Sequence, residues 1–270
     1  MKISINTYSF LWTESIENTL SVLADNGLKS VELLISPPHF NLSKYKPGMY
    51  LAIKRLIEKY NMEILALNIP GLDINLASPF PEMREMSINL YKRLVDINQE
   101  LEAKILLIAP GKRHPLLPPC FDFIYQYSKK SIEVILEYGS HSNLIYGIET
   151  LPSIFLDTSE SIKSFIDDLD HQNVKMVIDV ANVFQKEDVC QSIRKYIDYL
   201  CLIHLSDTKV VKWEHNVIGT GDVDFGEIVN TLNEIRYDGE IVLEVINDKG
   251  IEGIMKSIDI LKNYGLNINL

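Results

Sequence analysis

Short β-branched runs recur eight times along the chain, each followed by a loop and then by a stretch whose apolar residues fall at helical spacing. The runs occupy 3–5, 30–34, 63–67, 104–108, 144–148, 174–178, 200–205 and 240–245. Between them, Ile88, Tyr91, Leu94, Val95 and Leu101 mark one helical face, and Ile132, Val134, Ile135 and Tyr138 another. Alternating strand and helix predicts parallel strands joined by crossover helices. Runs such as Ile105–Leu106–Leu107–Ile108 and Lys175–Met176–Val177–Ile178 are nearly continuous in apolar residues, as strands covered on both faces are. Eight such units close into a (β/α)₈ TIM barrel; an open doubly wound sheet is the alternative.

Punctuation agrees with this division. Gly27 follows the first helical stretch and Gly139 sits near the end of the fourth. Asp157 or Thr158, ahead of Glu160 and Ser161, marks a helix start. The longest irregular segments, 36–47, 69–81, 110–119 and 206–223, each follow a strand. That places them at the C-terminal face, where barrel enzymes keep their chemistry. No Pro/Ser-rich linker or shift in composition divides residues 1–270, which read as a single α/β domain.

Composition changes the picture little. Of 270 residues, 46% are hydrophobic and 23% charged, which suits a sizeable core. The formal charge of −11 argues against nucleic acid as a partner, because phosphate binding needs a basic face. The first ten residues alternate like a strand and not like a secretory leader, and no stretch approaches the ~20 apolar residues of a membrane span. Cys120, Cys190 and Cys201 are odd in number and lack CxxC spacing, which suits buried thiols in a reducing, cytoplasmic compartment.

The chemistry gathers at the ends of the later strands. Ile148–Glu149, Ile178–Asp179, Ile203–His204 and Leu243–Glu244 each put an ionisable side chain after apolar residues, where a barrel strand opens to its mouth. Successive separations of 30, 25 and 40 residues are about one β/α unit each, so the four groups converge. Any one of them alone is explained by an ordinary strand-end hydrogen bond. Three carboxylates buried together need a positive partner, and His204 cannot offset three charges. A divalent cation can. Three carboxylate oxygens and one imidazole nitrogen suit Mn²⁺, Mg²⁺ or Co²⁺, with Zn²⁺ as a further candidate.

These four residues are accompanied by GLDINLASPFPEMRE (71–85), AKILLIAPG (103–111), HLSD (204–207) and HNVIGTGDVDF (215–225). With them the chain resembles the xylose-isomerase-like barrel superfamily, in particular its sugar isomerase and epimerase branch, from INTYSF at the start to IVLEV near the end. The resemblance implies that Glu149, Asp179, His204 and Glu244 bind one metal ion. It also implies isomerisation or epimerisation of a small polyhydroxy carbonyl substrate, a ketose or sugar phosphate, in which the metal holds two adjacent oxygens and stabilises a cis-enediolate. A proton α to a carbonyl is too weakly acidic for a carboxylate unless the developing oxyanion sits on a Lewis acid. By this analogy Glu149 and Glu244 are ligands and also the catalytic acid/base pair. Dehydratases of inosose- or dehydroshikimate-like compounds share the site but expel a hydroxyl, and a barrel that only binds is a third reading. The pattern does not give the oligomeric state; dimers and tetramers are common in the family, so a homo-oligomer is expected by analogy.

Endonuclease IV shares the fold but takes three zinc ions and several more histidines. Asn68 and Ala109 stand here where that branch has histidine after strands three and four. Its D-x-x-H reads Asp179–Val180–Ala181–Asn182, and the Asp of its D-x-H pair becomes Trp213 while His215 stays. The DNA-repair reading is set aside. Asn68 and Asn182 are expected to meet substrate; many epimerases carry histidine at the second position, and an amide donates a hydrogen bond but does not titrate near neutrality. Asp207 is expected to orient a ligand or a substrate hydroxyl, with a structural role in its loop as the alternative. His215 either contacts substrate or braces the Gly219–Thr220–Gly221 turn. Arg113, in the basic cluster 111–115, would suit an anionic substrate, unless the cluster is only a solvated loop. Tyr8, Phe10 and Trp12 either wall the pocket or pack in the core.

Overall fold

Each apolar run becomes a parallel strand, and the eight close on themselves in the computed structural model, which describes residues 1–43, 50–71, 73–152, 154–246 and 249–268. Residues 44–47 of the loop 36–47, and Leu72 of the motif 71–85, lie outside the described residues. The strands are β1 (Lys2–Asn6), β2 (Ser30–Leu34), β3 (Glu63–Asn68), β4 (Ile105–Ile108), β5 (Ile145–Glu149), β6 (Val174–Asp179) and β7 (Leu200–Leu205). A small hairpin follows, β8 (Asp207–Lys209) and β9 (Lys212–Asn216), and β10 (Glu240–Leu243) completes the ring. Round the barrel the order is β1, β10, β7, β6, β5, β4, β3 and β2.

Helices α1 (Ile16–Asp25), α2 (Tyr50–Lys59), α3 (Pro81–Leu101), α4 (Phe121–Tyr138) and α5 (Ser159–Leu169) follow the first five strands. After β6 come the single turn α6 (Val180–Val183) and then α7 (Val189–Tyr196); α8 (Phe225–Glu234) and α9 (Ile251–Asn263) flank β10. Their starts carry the expected side-chain caps. Ser15, Asp188 and Asp224 accept from backbone N–H groups two or three residues into α1, α7 and α8, and Thr158 forms a reciprocal capping box with Ser161. Gly27 ends α1 at φ +77°, a left-handed conformation that a Cβ disfavours.

The period-2 alternation of a strand decides what faces the barrel axis. Ile105, Leu107, Val177, Leu202 and Val242 pack together inside the barrel, whereas their neighbours Leu106, Ile108, Ile178, Ile203 and Leu243 join the larger core under the helices. One inward step above the interior layer lie Glu149, Asp179, His204 and Glu244. The opposite, N-terminal mouth is closed by ion pairs: Glu63 meets Lys2 and Lys104 (3.5 Å), and Lys104 also reaches Glu240 (3.7 Å). The interior is therefore a plug of side chains with its chemistry at one end.

The span 206–223, read as irregular from sequence, contains the antiparallel pair β8 and β9. Three residues in β8, and alternation in β9 that is largely charged, leave no apolar signal from which a strand is recognised. No helix among the described residues is long and apolar enough to cross a membrane.

Gly147 sits in the interior layer, where an added Cβ would stand 2.7 Å from Val177 Cγ2 and 3.2 Å from Cys201 Sγ. Gly147→Val is expected to destabilise the fold by about 1–3 kcal/mol through overpacking. Urea unfolding of both proteins checks this; an unchanged midpoint would contradict the packing.

Candidate metal centre

Parity and position along each strand bring the four predicted groups together. Glu149 ends β5, Asp179 ends β6, His204 is the fifth residue of β7, and Glu244 follows the last residue of β10. All are buried, Glu149 and Glu244 with only 6% and 5% exposure, and one ligand atom from each lies within 4.8 Å of the others. His204 Nδ1 is 3.3 Å from Glu149 Oε1, 3.5 Å from Asp179 Oδ2 and 3.3 Å from Glu244 Oε2. Among the described residues this is the one group of His, Cys, Asp and Glu side chains placed to hold a metal ion.

Beneath it lies a fourth acid. Glu32 of β2 is fully buried; its Oε2 stands 3.1 Å from His204 Nε2, and its Oε1 accepts from Asn6 Nδ2 (2.6 Å) and Asn68 Nδ2 (2.9 Å). Asn6 Nδ2 also reaches Glu244 Oε1 at 3.0 Å, which ties the two layers together. A carboxylate at Nε2 holds a proton on that nitrogen and aims Nδ1 at three carboxylate oxygens. Nδ1 and Asp179 Oδ2 are both buried without a hydrogen-bond partner. With no ion bound, a second proton on Nδ1 is the positive charge that these carboxylates draw in; a cation at the centre would take its place. A hard divalent cation fits this donor set of oxygens and one imidazole nitrogen.

The electrostatics reflect the crowding. Burial pushes the Glu149 and Glu244 carboxyls up, against the pull of His204 and reinforced by neighbouring acids. Burial acts in the same sense on Asp179, but His215, His204 and hydrogen bonding overcome it and hold the group at about 2. Asp179 is also the N-cap of α6, its Oδ1 accepting from Asn182 N at 3.0 Å, which points its other oxygen at the centre. His204 is raised well above the usual histidine range; burial opposes this, but Glu32 and Glu244 outweigh it. His215 is lowered by burial.

Above the cluster a cavity of about 290 Å³ opens, with Glu149, Glu244, His215, Asn68 and Asn182 in its wall. His215 Nδ1 lies 3.0 Å from Ser206 Oγ and 3.5 Å from Glu244 Oε2. Asn68 borders the cavity while its amide nitrogen serves Glu32. Both ends of the Asn182 amide are occupied: Nδ2 donates to the Thr150 carbonyl and Oδ1 accepts from Trp213 Nε1, each at 2.9 Å. Asp207 faces away from the cluster and holds its own loop. Its carboxylate accepts from the backbone N–H groups of Gly219 and Gly221 (both 2.8 Å), Thr208 (2.9 Å) and Val223 (3.3 Å). A Cβ on Gly221 would collide with the Thr208 carbonyl and the Asp207 carboxylate, so the turn requires glycine. Arg113 lies outside the cavity wall, with Nε donating to the Pro119 carbonyl of its own loop; Lys112 borders the cavity instead. Tyr8 reaches the cavity, Phe10 is buried in the core and Trp12 is exposed.

Glu32 and Asn6 escape a reading based on strand ends alone. The available signal for Glu32 is an acid inside the apolar run SVELL. Asn6 has none beyond closing β1 at the same inward parity.

A family profile described as xylose isomerase-like TIM barrel matches residues 20–264. An uncharacterized protein of Methanocaldococcus jannaschii is 24% identical over 270 residues, covering 98% of this chain and 89% of that one. The fructoselysine 3-epimerase of Shigella flexneri is 22% identical over 237 residues, 86% of this chain and 85% of its own length. Among solved structures, a D-tagatose 3-epimerase-like protein superposes with a TM-score of 0.84 at 23% identity, over 98% of this chain and 97% of that one. At such identity the likeness speaks to the fold.

Two expectations follow from the geometry. Groups whose folded-state pKa is raised stabilise the fold fully below their unfolded values and lose that contribution as pH rises through the folded ones. Glu149, Glu244 and His204 all act in this direction, while the depressed Asp179 matters only in strong acid. The melting temperature of chelator-treated protein should therefore fall between pH 5 and pH 8, and added Mn²⁺ should raise it more at pH 8; a flat metal-free profile by differential scanning fluorimetry would contradict this. Separately, Glu32→Gln should weaken Mn²⁺ binding about 10–100-fold through loss of the His204 tautomer; an unchanged affinity in a competitive chelator titration would remove that role.

Proposed function

The chain belongs to the xylose isomerase-like TIM barrel family, and from that premise we propose that it is a divalent-metal-dependent epimerase or isomerase of a small ketose. The observation that carries this reading is the convergence of Glu149, Asp179, His204 and Glu244, one ligand atom of each within 4.8 Å of the others, at the base of an open cavity. The names of similar proteins, a fructoselysine 3-epimerase and a D-tagatose 3-epimerase-like protein, support the same chemistry.

Glu149, Asp179, His204 and Glu244 would hold the ion, with Mn²⁺, Mg²⁺ or Co²⁺ matching the donors best. Bound there, a divalent ion supplies Lewis acidity toward a ketone oxygen. The chain's own residues supply the proton chemistry. Glu149 and Glu244 both border the cavity, on strands three places apart round the ring. They therefore approach a bound sugar from different sides. Inverting a carbon needs a proton removed from one face and another delivered to the opposite face, and two carboxyl groups so placed can share that task. Their raised proton affinity brings each closer to the range where a carboxylate is both a competent base and a competent acid. His215, kept neutral by burial, borders the cavity close to Glu244 and is placed to meet a substrate oxygen. The apolar lining, including Ile69, Leu151 and Ile246, offers a non-polar wall to the carbon skeleton of the substrate. We place the enzyme in a reducing compartment, on its three free cysteines; of the thiols expected to be buried, Cys190 is, whereas Cys201 is half-buried and Cys120, ahead of α4, is exposed.

Metal-loaded protein incubated with free ketohexoses in D₂O should place solvent deuterium at the epimerised carbon, and removing the metal should stop it. If the product instead shows loss of water and an enone absorbance, the reaction is a dehydration; no incorporation across the panel argues for a barrel that only binds. Glu244→Gln should lower kcat roughly 10²–10⁴-fold, with metal content measured on the same sample so that a lost ion is not mistaken for a lost base. Near-normal kcat in that variant would refute the assigned role.

A further inference from the structure

The hairpin after β7 puts one large aromatic residue over the cavity. Trp213 of β9 borders the same space as Glu149 and Glu244, yet its side chain is still 52% exposed. Its indole is not loose. Nε1 donates to Asn182 Oδ1 at 2.9 Å, and Asn182, itself only 3% exposed, is anchored through Nδ2 to the Thr150 carbonyl. On its other side the ring meets His215 edge-on, with centroids 5.6 Å apart at 75°. A tryptophan fixed at both ends, with a face left open beside a cavity, has the form of a preorganised contact surface.

Topology says what lies across from it. In the ring order β7 and β3 are four places apart, on opposite sides of the barrel. The segment after β3 contributes Ile69 and Ile74 to the same cavity wall. A ligand entering the mouth therefore passes between an indole and aliphatic side chains, with the carboxylates below and Lys112 in the same wall donating its Nζ to the Gly71 carbonyl (3.3 Å). That division matches a free, uncharged ketose, whose reacting oxygens point down while a face of C–H bonds packs against the aromatic ring.

We propose that Trp213 is a specificity-determining residue that packs against the non-reacting part of an uncharged ketose, and that Asn182 acts as a positioning residue by pinning the indole. The proposal rests on the ketose reading of the site. It gives Asn182 a role through Trp213 in place of direct substrate contact.

The chain has two tryptophans, and Trp12 is 75% exposed, so Trp12→Phe leaves Trp213 as the sole indole, read by excitation at the red edge that spares the tyrosines. The Mn²⁺-loaded Trp12→Phe protein is titrated with D-fructose, D-tagatose and their C3 epimers, and indole emission is read beside solvent deuterium incorporation. A saturable emission change is expected with the ketose that exchanges deuterium, at half-saturation close to its KM. Trp213→Ala should raise that KM about tenfold while kcat moves less than about threefold, with Trp213→Phe in between. Asn182→Ala should raise KM in the same direction. Emission that ignores a ketose whose exchange saturates, or a Trp213→Ala KM within about twofold of the parent, overturns the proposal and leaves the epimerase reading intact. Saturable emission without deuterium exchange keeps the contact surface and removes the epimerase reading. Silence in both channels across the panel overturns both.

Discussion

Repulsion among buried acids is the constraint around which the upper half of this barrel is organised. Glu32, Glu149, Asp179 and Glu244 share the inward layers at one end of the strands, and His204 stands between them. Two unit charges about 4 Å apart interact by about 4 kcal/mol at an effective dielectric of 20, so four acids cannot all remain ionised there without compensation. Each is handled differently. Glu32 is satisfied by two amides and an imidazole, Asp179 by the first turn of α6 at one oxygen and by His204 and His215 near the other, and Glu149 and Glu244 by raised proton affinity or by a cation. The last two are the pair that border the cavity, which is where an adjustable proton is useful.

Orientation of His204 links the two layers. The Nε2 contact with Glu32 is what turns Nδ1 toward the remaining carboxylates. Asn6 in turn touches Glu32 and Glu244 together, so the first strand of the chain helps fix a residue placed after the last. The apolar plug below, and the lysine–glutamate pairs at the far mouth, keep these strands in register while contributing nothing to the chemistry.

The loop after β7 divides its polar residues between support and contact. Asp207 spends its carboxylate on backbone N–H groups of the glycine turn, and this holds the segment that carries His215 and Trp213 beside the cavity. Arg113 likewise serves its own loop. Polar residues near the cavity mouth here serve as scaffold or border the cavity, and only the direction of the side chain separates the two cases. Asn182 and Trp213 illustrate the point from the other side. Both are departures from the endonuclease IV pattern, and in the folded chain they satisfy one another through a single hydrogen bond.

The sequence by itself determined the eight strand–helix units and the four strand-end groups, because strand periodicity and β/α spacing are local properties that fix which residues arrive at the same end of the same face; closure of the ring, for which an open sheet was the alternative, was decided by the pairing of β1 with β10. It could not determine Glu32 or Asn6, since an acid in an apolar run becomes informative only when its partner, 172 residues away in the case of Glu32 and His204, is seen beside it. Nor could it tell Asp207 from His215, two polar residues eight positions apart in the same loop. The hairpin that turns one toward the glycine turn and the other toward the carboxylates is set by long-range packing, and the tertiary structure alone decided that.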